Sequence, residues 1–390
     1  MRALVLCAAT ALIAAAPARA QPALVVGAAL PQSGMLVDLA ADLGKALLLW
    51  QEEVNARGGL LGRQVSLRLL DDGSSAAAAG ALYGKLIVEH RAELLVGPFG
   101  SAASLGAAGA AERARRVLVN ATGASRLVHR AGLRYVFQVP APLGGYGGGA
   151  LELARRQGLQ RVVLLARDEP VAREMAFRAR EDAGRLGLTV TGLVLHSSSV
   201  TDFSPHIERA RGARAQAWIA FGQVRDAAEM VKSFKRLGYA PALFVAQGAA
   251  EPDFIVRVGQ DAEQAIGISP YQTRAATQGN ADFVRAFARK WSAEPGALAA
   301  QGYAAAKVLE AAVRHAGSLD QEQLREALAA LRLETPLGPY RVGEGGEQLA
   351  ARPLLVQVLE GRREIVWPEA LATARWRLPY PPWEERKLLP

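Results

Sequence analysis

The chain has 390 residues, of which 51% are hydrophobic and 21% charged, with a formal net charge of +9. That length exceeds one ordinary core and the composition is globular, so two domains are expected and a disordered chain is excluded. Lysine and arginine alternate with acids, as in Glu112-Arg113-Ala114-Arg115-Arg116 and Arg178-Ala179-Arg180-Glu181-Asp182, so the excess charge reads as solvated helix faces and no nucleic-acid partner is expected.

The chain opens with Met1-Arg2, an apolar run from Ala3 to Ala16, and Pro17-Ala18-Arg19-Ala20-Gln21. A positive start, a short apolar middle and small residues before a break are the parts of a secretory signal over residues 1–20, with cleavage after Ala20. The run falls short of the ~18–20 residues a bilayer span needs. The only cysteine, Cys7, lies inside this signal, so the mature chain is expected to have no thiol, no disulfide and no cysteine metal site.

Beyond the signal, Ala23–Leu30 reads as a buried strand leaving through Pro31-Gln32-Ser33-Gly34. Apolar residues at helical spacing, Leu39, Leu43, Leu47, Trp50 and Val54, predict a helix over Asp38–Arg57 that stops at Gly58-Gly59. Strands follow at Gln64–Leu70, Ala92–Val96, Arg116–Ala121 and Tyr135–Pro140, with helices at Ser75–Arg91 and Ala102–Arg115. Strand and helix alternate through short loops, the pattern of a parallel sheet, whose ligands bind beyond the carboxyl ends of the strands.

One such exit is Gly97-Pro98-Phe99-Gly100-Ser101, where a strand hands over to an alanine-rich helix. Backbone N–H groups at a helix start, with the Ser101 hydroxyl beside them, suit an anionic ligand.

The alternation restarts after the glycine-rich break at 144–149. Strands are predicted at Arg161–Ala166, Thr189–Leu195, Ala217–Gly222, Leu243–Ala246 and Ala265–Ser269, with helices near 171–186, 203–211 and 225–237, which makes a second lobe built like the first. Helices at 280–291, 297–316 and 320–331 and short strands near 338–342 and 354–360 complete the pattern. Residues 361–390, rich in proline and tryptophan, read as an extended C-terminal tail over the surface.

Gly145-Tyr146-Gly147-Gly148-Gly149-Ala150 fits the loose dinucleotide fingerprint, with Asp168 about 20 residues on. Pro140 and Pro142 separate its strand from the first glycine, and an exported protein has no NAD pool, so a hinge or helix-capping role is the preferred reading over an NAD-dependent enzyme. The five histidines show no metal-ligand spacing, and no nucleophile elbow surrounds Ser101. Asp71-Asp72 at a strand exit reads as a turn cap. No catalytic residue, metal or cofactor is expected.

Glu53-Val54-Asn55-Ala56-Arg57-Gly58-Gly59-Leu60-Leu61-Gly62-Arg63, followed by a strand and Asp71-Asp72, resembles the opening signature of type I periplasmic solute-binding proteins of ABC importers, in the leucine/isoleucine/valine-binding branch. Val96-Gly97-Pro98, Gly132-Leu133-Arg134-Tyr135-Val136-Phe137, Gln301-Gly302-Tyr303-Ala304-Ala305-Ala306 and Thr335-Pro336-Leu337-Gly338-Pro339-Tyr340 extend the likeness over nearly the whole mature chain. The resemblance implies an α/β fold of two Rossmann-like lobes with parallel sheets, joined by a three-strand hinge and closing on a ligand. It puts residues 22–140 and 270–333 in the first lobe and 141–269 and 334–360 in the second. It also implies a periplasmic monomer whose partners are a small-molecule ligand and an inner-membrane permease. A ligand sensor for a membrane partner is the alternative.

For the site, the resemblance implies that Ser101 holds a ligand carboxylate, with Phe99 and Gly100 on the same loop. The second loop, Thr122-Gly123-Ala124-Ser125, departs from the family's pattern: the expected threonine falls on Ala124, for which Thr122 or Ser125 can substitute. In the second lobe the family's two tyrosines fall on Val171 and Gln223, and its ammonium-binding acid on Gln247 or Gly248, with Glu251 and Asp253 nearby. A buried ammonium without a carboxylate is costly, so the expected ligand is a carboxylate with an apolar or aromatic body and polar contacts from Gln223 and Gln247. Tyr146 and Tyr271, beside the crossovers, complete the candidate set.

Overall fold

The apolar run Leu24–Leu30 (β1) pairs in parallel with Val65–Asp71 (β2) along its whole length, from Leu24 opposite Val65 to Leu30 opposite Asp71. The computed structural model describes residues 21–129 and 132–385, so the signal expected at residues 1–20 lies outside the described residues. Between the two strands runs the helix Val37–Ala56 (α1), which buries Leu43, Leu47, Trp50 and Val54, as its period requires, while Leu39, expected in the same stripe, lies exposed in the first turn. Ala79–Val88 (α2) leads to Leu94–Gly97 (β3), and Ser101–Arg113 (α3) leads to Leu118–Asn120 (β4) and then Val136–Gln138 (β5). The sheet order is β2-β1-β3-β4-β5, all parallel.

The chain then enters a second sheet. Gly148–Arg156 (α4), Arg161–Arg167 (β6), Pro170–Arg185 (α5), Thr189–His196 (β7), Ser204–Gly212 (α6), Ala217–Phe221 (β8), Val224–Arg236 (α7), Leu243–Ala246 (β9), Pro252–Val258 (α8) and Ile266–Ser269 (β10) repeat the alternation. Asn280–Trp291 (α9), Ala297–Ala316 (α10) and Gln321–Ala330 (α11) return to the first core, where Phe283, Phe287, Tyr303 and Leu309 pack with Leu43 and Trp50. The two-lobed, mostly parallel α/β fold stands as expected.

Two expected boundaries change. Residues 334–350 belong with the first lobe: Leu333–Thr335 (β11) and Gly338–Tyr340 (β12) form a small hairpin whose Tyr340, with Val342, is buried in the first core. The Gln138 N–H donates to the Gly346 carbonyl at 2.8 Å, and Gln348 Nε2 donates to the Val139 carbonyl at 3.2 Å. The third passage between the lobes therefore comes just before Leu354–Leu359 (β13), not at 334.

The tail also starts later than residue 361. Arg362–Trp367 (β14) pairs antiparallel with β13 across a two-residue turn at Glu360 and Gly361, with φ of 54° and 72°. A turn this short joins only antiparallel strands, so the second sheet, ordered β14-β13-β10-β9-β8-β6-β7, is mixed at this edge. Beyond it Trp376 and Leu378 pack on the second core, and Tyr380 is buried against Phe244. Apolar side chains pull the tail inward where proline content suggested a surface strap.

Candidate functional site

The exits of β3 and β4 are stapled together. The Gly100 N–H donates to the Thr122 hydroxyl oxygen at 2.7 Å, and that hydroxyl donates to the Pro98 carbonyl at 2.8 Å. Gly123 donates to Asn120 Oδ1, and Asn120 Nδ2 donates back to the Gly123 carbonyl, both at 2.8 Å. The Thr122 hydroxyl and the Gly123 backbone are thus engaged in building the two loops. Phe99 lies half-buried on the first core.

Ser101, the first residue of α3, accepts the Ser125 N–H at 3.2 Å. An acceptor bond leaves the Ser101 O–H proton for a ligand oxygen. Of the first-lobe candidates it is the hydroxyl best placed to bind an anion. Ala124 faces the other way: it is buried with Leu143 and Tyr146 in the second core, and its carbonyl accepts the Leu143 N–H at 3.0 Å.

Ser125 instead meets the second lobe. Its hydroxyl donates to Glu174 Oε2 at 2.5 Å, and the Arg126 N–H donates to Glu174 Oε1 at 2.9 Å. Glu174 stands in the second turn of α5, so the exit of β4 touches the helix that follows β6. Beside this contact lies a cavity of about 700 Å³ between the lobes, walled by Arg126 and Leu127, by Pro142 and Arg352 of the connecting segments, and by Glu174 and Phe177 of α5. None of the predicted ligand contacts lines it.

On the second lobe the exits of β6 and β8 are tied by charge. Arg167 Nε donates to Asp226 Oδ2 at 2.9 Å and Nη2 donates to Oδ1 at 3.0 Å, while Nη1 reaches Glu169 at 3.3 Å. Asp226 Oδ2 also accepts the Gln223 N–H at 2.8 Å, capping α7. Gln223 itself is exposed and Gln247 half-buried at the exit of β9; Glu251 and Asp253 are exposed at the start of α8.

Tyr146 and Tyr271 are core residues. The Tyr271 hydroxyl donates to Asn280 Oδ1 at 2.8 Å, and burial pushes both phenols well above their ordinary range. Packing accounts for part of the glycine-rich run, while Gly145 and Gly148 have open space where a Cβ would stand. A Cβ on Gly147 would stand 2.7 Å from the Ala179 Cβ, and one on Gly149 would stand 2.9 Å from the Trp367 ring, so α4 lies against α5 and β14 where a phosphate cradle would need open backbone. Among the described residues no cluster of three or more His, Cys, Asp or Glu converges as metal ligands would, and no helix is long and apolar enough to cross a membrane.

Sequence reasoning missed Arg167, Glu169, Glu174 and Asp226. The one local signal was Gln223 followed three residues later by Asp226, a capping pattern. The arginine partner is 59 residues away from Asp226 and left no trace in the sequence.

The family model described as periplasmic binding protein matches residues 23–363. A Leu/Ile/Val-binding protein homolog 8 of Brucella abortus is 23% identical over 372 residues, covering 90% of this chain and 92% of that protein. A branched-chain amino acid transporter substrate binding protein of Streptococcus pneumoniae, solved in complex with isoleucine, superposes with a TM-score of 0.71 at 20% identity, covering 88% of this chain and 99% of that one. An ABC transporter solute binding protein of R. palustris, solved in complex with benzoate, gives a TM-score of 0.69 at 21% identity, covering 92% and 97%. At these identities the structural neighbours speak for the fold.

Proposed function

Because the chain belongs to the periplasmic binding protein family, we propose that it captures a small carboxylate-bearing ligand between its lobes, outside the cytoplasm, and delivers it to the permease of an ABC importer. The signal read at residues 1–20 is the export device of this proposal. The observation that carries the ligand class is the Ser101 hydroxyl at the first turn of α3, accepting Ser125 and free to donate. Isoleucine and benzoate, found in two structural neighbours, share a carboxylate and an apolar body and differ in the ammonium.

The second-lobe exits favour the ligand without an ammonium. Glu169 is engaged by Arg167 and Asp168 is engaged by Arg173, and the positions where the family carries its acid are the amide Gln247 and Gly248. Glu251 and Asp253 stand exposed at the start of α8, beyond that position, so an ammonium brought to Gln247 would lose water without meeting a carboxylate there. An apolar or aromatic acid does not meet that cost.

Titration calorimetry on residues 21–390 tests the proposal. Benzoate or a branched aliphatic acid is expected to bind more tightly than leucine, and Ser101→Ala to weaken that binding roughly tenfold, the scale of one hydrogen bond to a charged group. Tight leucine binding with no response to organic acids overturns the ligand class.

A further inference from the structure

Glu174 spends both carboxylate oxygens on the opposite lobe. Oε2 accepts the Ser125 hydroxyl at 2.5 Å and Oε1 accepts the Arg126 N–H at 2.9 Å, across 49 and 48 residues of sequence. Hydrogen bonds to an ionised acceptor are roughly twice as strong as neutral ones. No cation of its own helix competes for it. Arg178, one turn on, is held by Glu181 at 2.9 Å and Asp182 at 3.6 Å, and Arg173 is held by Asp168.

Ser125 is the point of coupling. Through its N–H it donates to the Ser101 hydroxyl, and through its own hydroxyl it donates to Glu174. The anion seat of the first lobe and the carboxylate of the second therefore meet in one residue.

We propose that Glu174 is a latch that holds the two lobes together before any ligand arrives, so that capture begins with its release from Ser125 and Arg126. The inference rests on the reading that the lobes open and close on a ligand. Glu174 is a positioning residue in this scheme. It closes the wall of the interlobe cavity beside Arg126 and Phe177, and any ligand anion that draws on Ser101 acts on the residue the latch grips.

The test reads the distance across the cleft mouth without ligand. Residues 21–390 contain no cysteine, so in that chain Met35→Cys and Val256→Cys, at exposed positions following β1 and β9, take a donor and an acceptor dye cleanly. In ligand-free protein the expected distribution is dominated by one short distance. Glu174→Ala is expected to transfer population to longer distances, and Ser125→Ala to do so in the same direction, whereas Glu208→Gln on α6, a carboxylate paired with Arg211 of its own helix, leaves the distribution unchanged. Should Glu174→Ala fail to fold, Glu174→Gln keeps the shape and removes the charge, and is expected to lengthen the distance to a smaller extent.

A wild-type protein already open without ligand, or a distribution that Glu174→Ala and Glu174→Gln leave unmoved, overturns the latch. Adding leucine and benzoate in separate arms keeps the two ideas apart. Closure by either ligand with no effect of Glu174 sinks the latch alone, and an effect of Glu174 with no response to any carboxylate sinks the ligand class alone.

Discussion

Arg167 and Asp226 are locked side chain to side chain by two parallel hydrogen bonds of 2.9 and 3.0 Å, with only 9% and 3% of the two side chains exposed. The pair ties the exit of β6 to the first turn of α7 and thereby fixes where Gln223 stands. Desolvating two charges is expensive, so the pair is weak support for stability as a unit, but removing one partner strands the other in the interior. Asp226→Ala is expected to cost about 3–5 kcal/mol in urea unfolding, because it leaves the guanidinium uncompensated and also uncaps α7. A loss under about 1 kcal/mol would contradict this account.

Glu310 is a buried first-lobe carboxylate expected to lose stabilising contacts in acid. Burial alone pushes its carboxyl up, but the Lys307 ammonium at 2.9 Å, the Trp50 indole N–H at 3.0 Å and the Arg57 guanidinium outweigh it and bring the value down to about 2. A carboxyl depressed in the fold binds its proton more readily unfolded, where its value is about 4.3. Its stabilisation is therefore complete above that value and lost as pH falls toward 2. Thermal melts from pH 6 downward are expected to show Tm falling below about pH 4.5, and Glu310→Gln to flatten that limb. Equal slopes in the two proteins would assign the acid limb to other groups.

The elements were legible because their signals are local. Arg161–Arg167 is an unbroken run closed by turn residues, and the stripe of Leu43, Leu47, Trp50 and Val54 marks its helix without help from elsewhere. Which core an element joins is not a local property. The stretch around Tyr340 reads as a strand in either lobe, and what puts it in the first is packing against residues 200 and more positions earlier and the bond from Gln348 to Val139. The same limit governs the site. Ser101 announces itself at a strand exit, whereas Glu174, in a run with Arg173, Arg178 and Glu181, has the composition of a solvated face. Only its distance to Ser125 sets it apart.

Gly248 shows how closely the second-lobe exits are packed. A Cβ there would stand 2.3 Å from the backbone carbonyl of Gln223, a rigid neighbour with no side chain to swing aside. Gly248→Ala must therefore push apart the exits of β8 and β9. Overpacking of this kind costs about 1–3 kcal/mol. Chemical unfolding is expected to show that loss, together with weaker ligand binding if Gln223 contributes a contact; unchanged stability would mean that the exits separate freely.

The amide at Gln247 offers a direct test of the proposed ligand class. It sits half-buried at the exit of β9, where the resemblance implies the ammonium-binding acid, and its side chain differs from glutamate by a single group. Gln247→Glu places an unpaired carboxylate there, which attracts an ammonium and repels a second anion. At the effective dielectric of a partly exposed site, a unit pair near 4 Å is worth about 4 kcal/mol before desolvation is subtracted, so a net gain of roughly tenfold in leucine affinity is the expected scale. Benzoate affinity is expected to fall in the same variant. Calorimetry with both ligands measures the ratio, and a ratio that stays at its wild-type value would remove Gln247 from the ligand's surroundings.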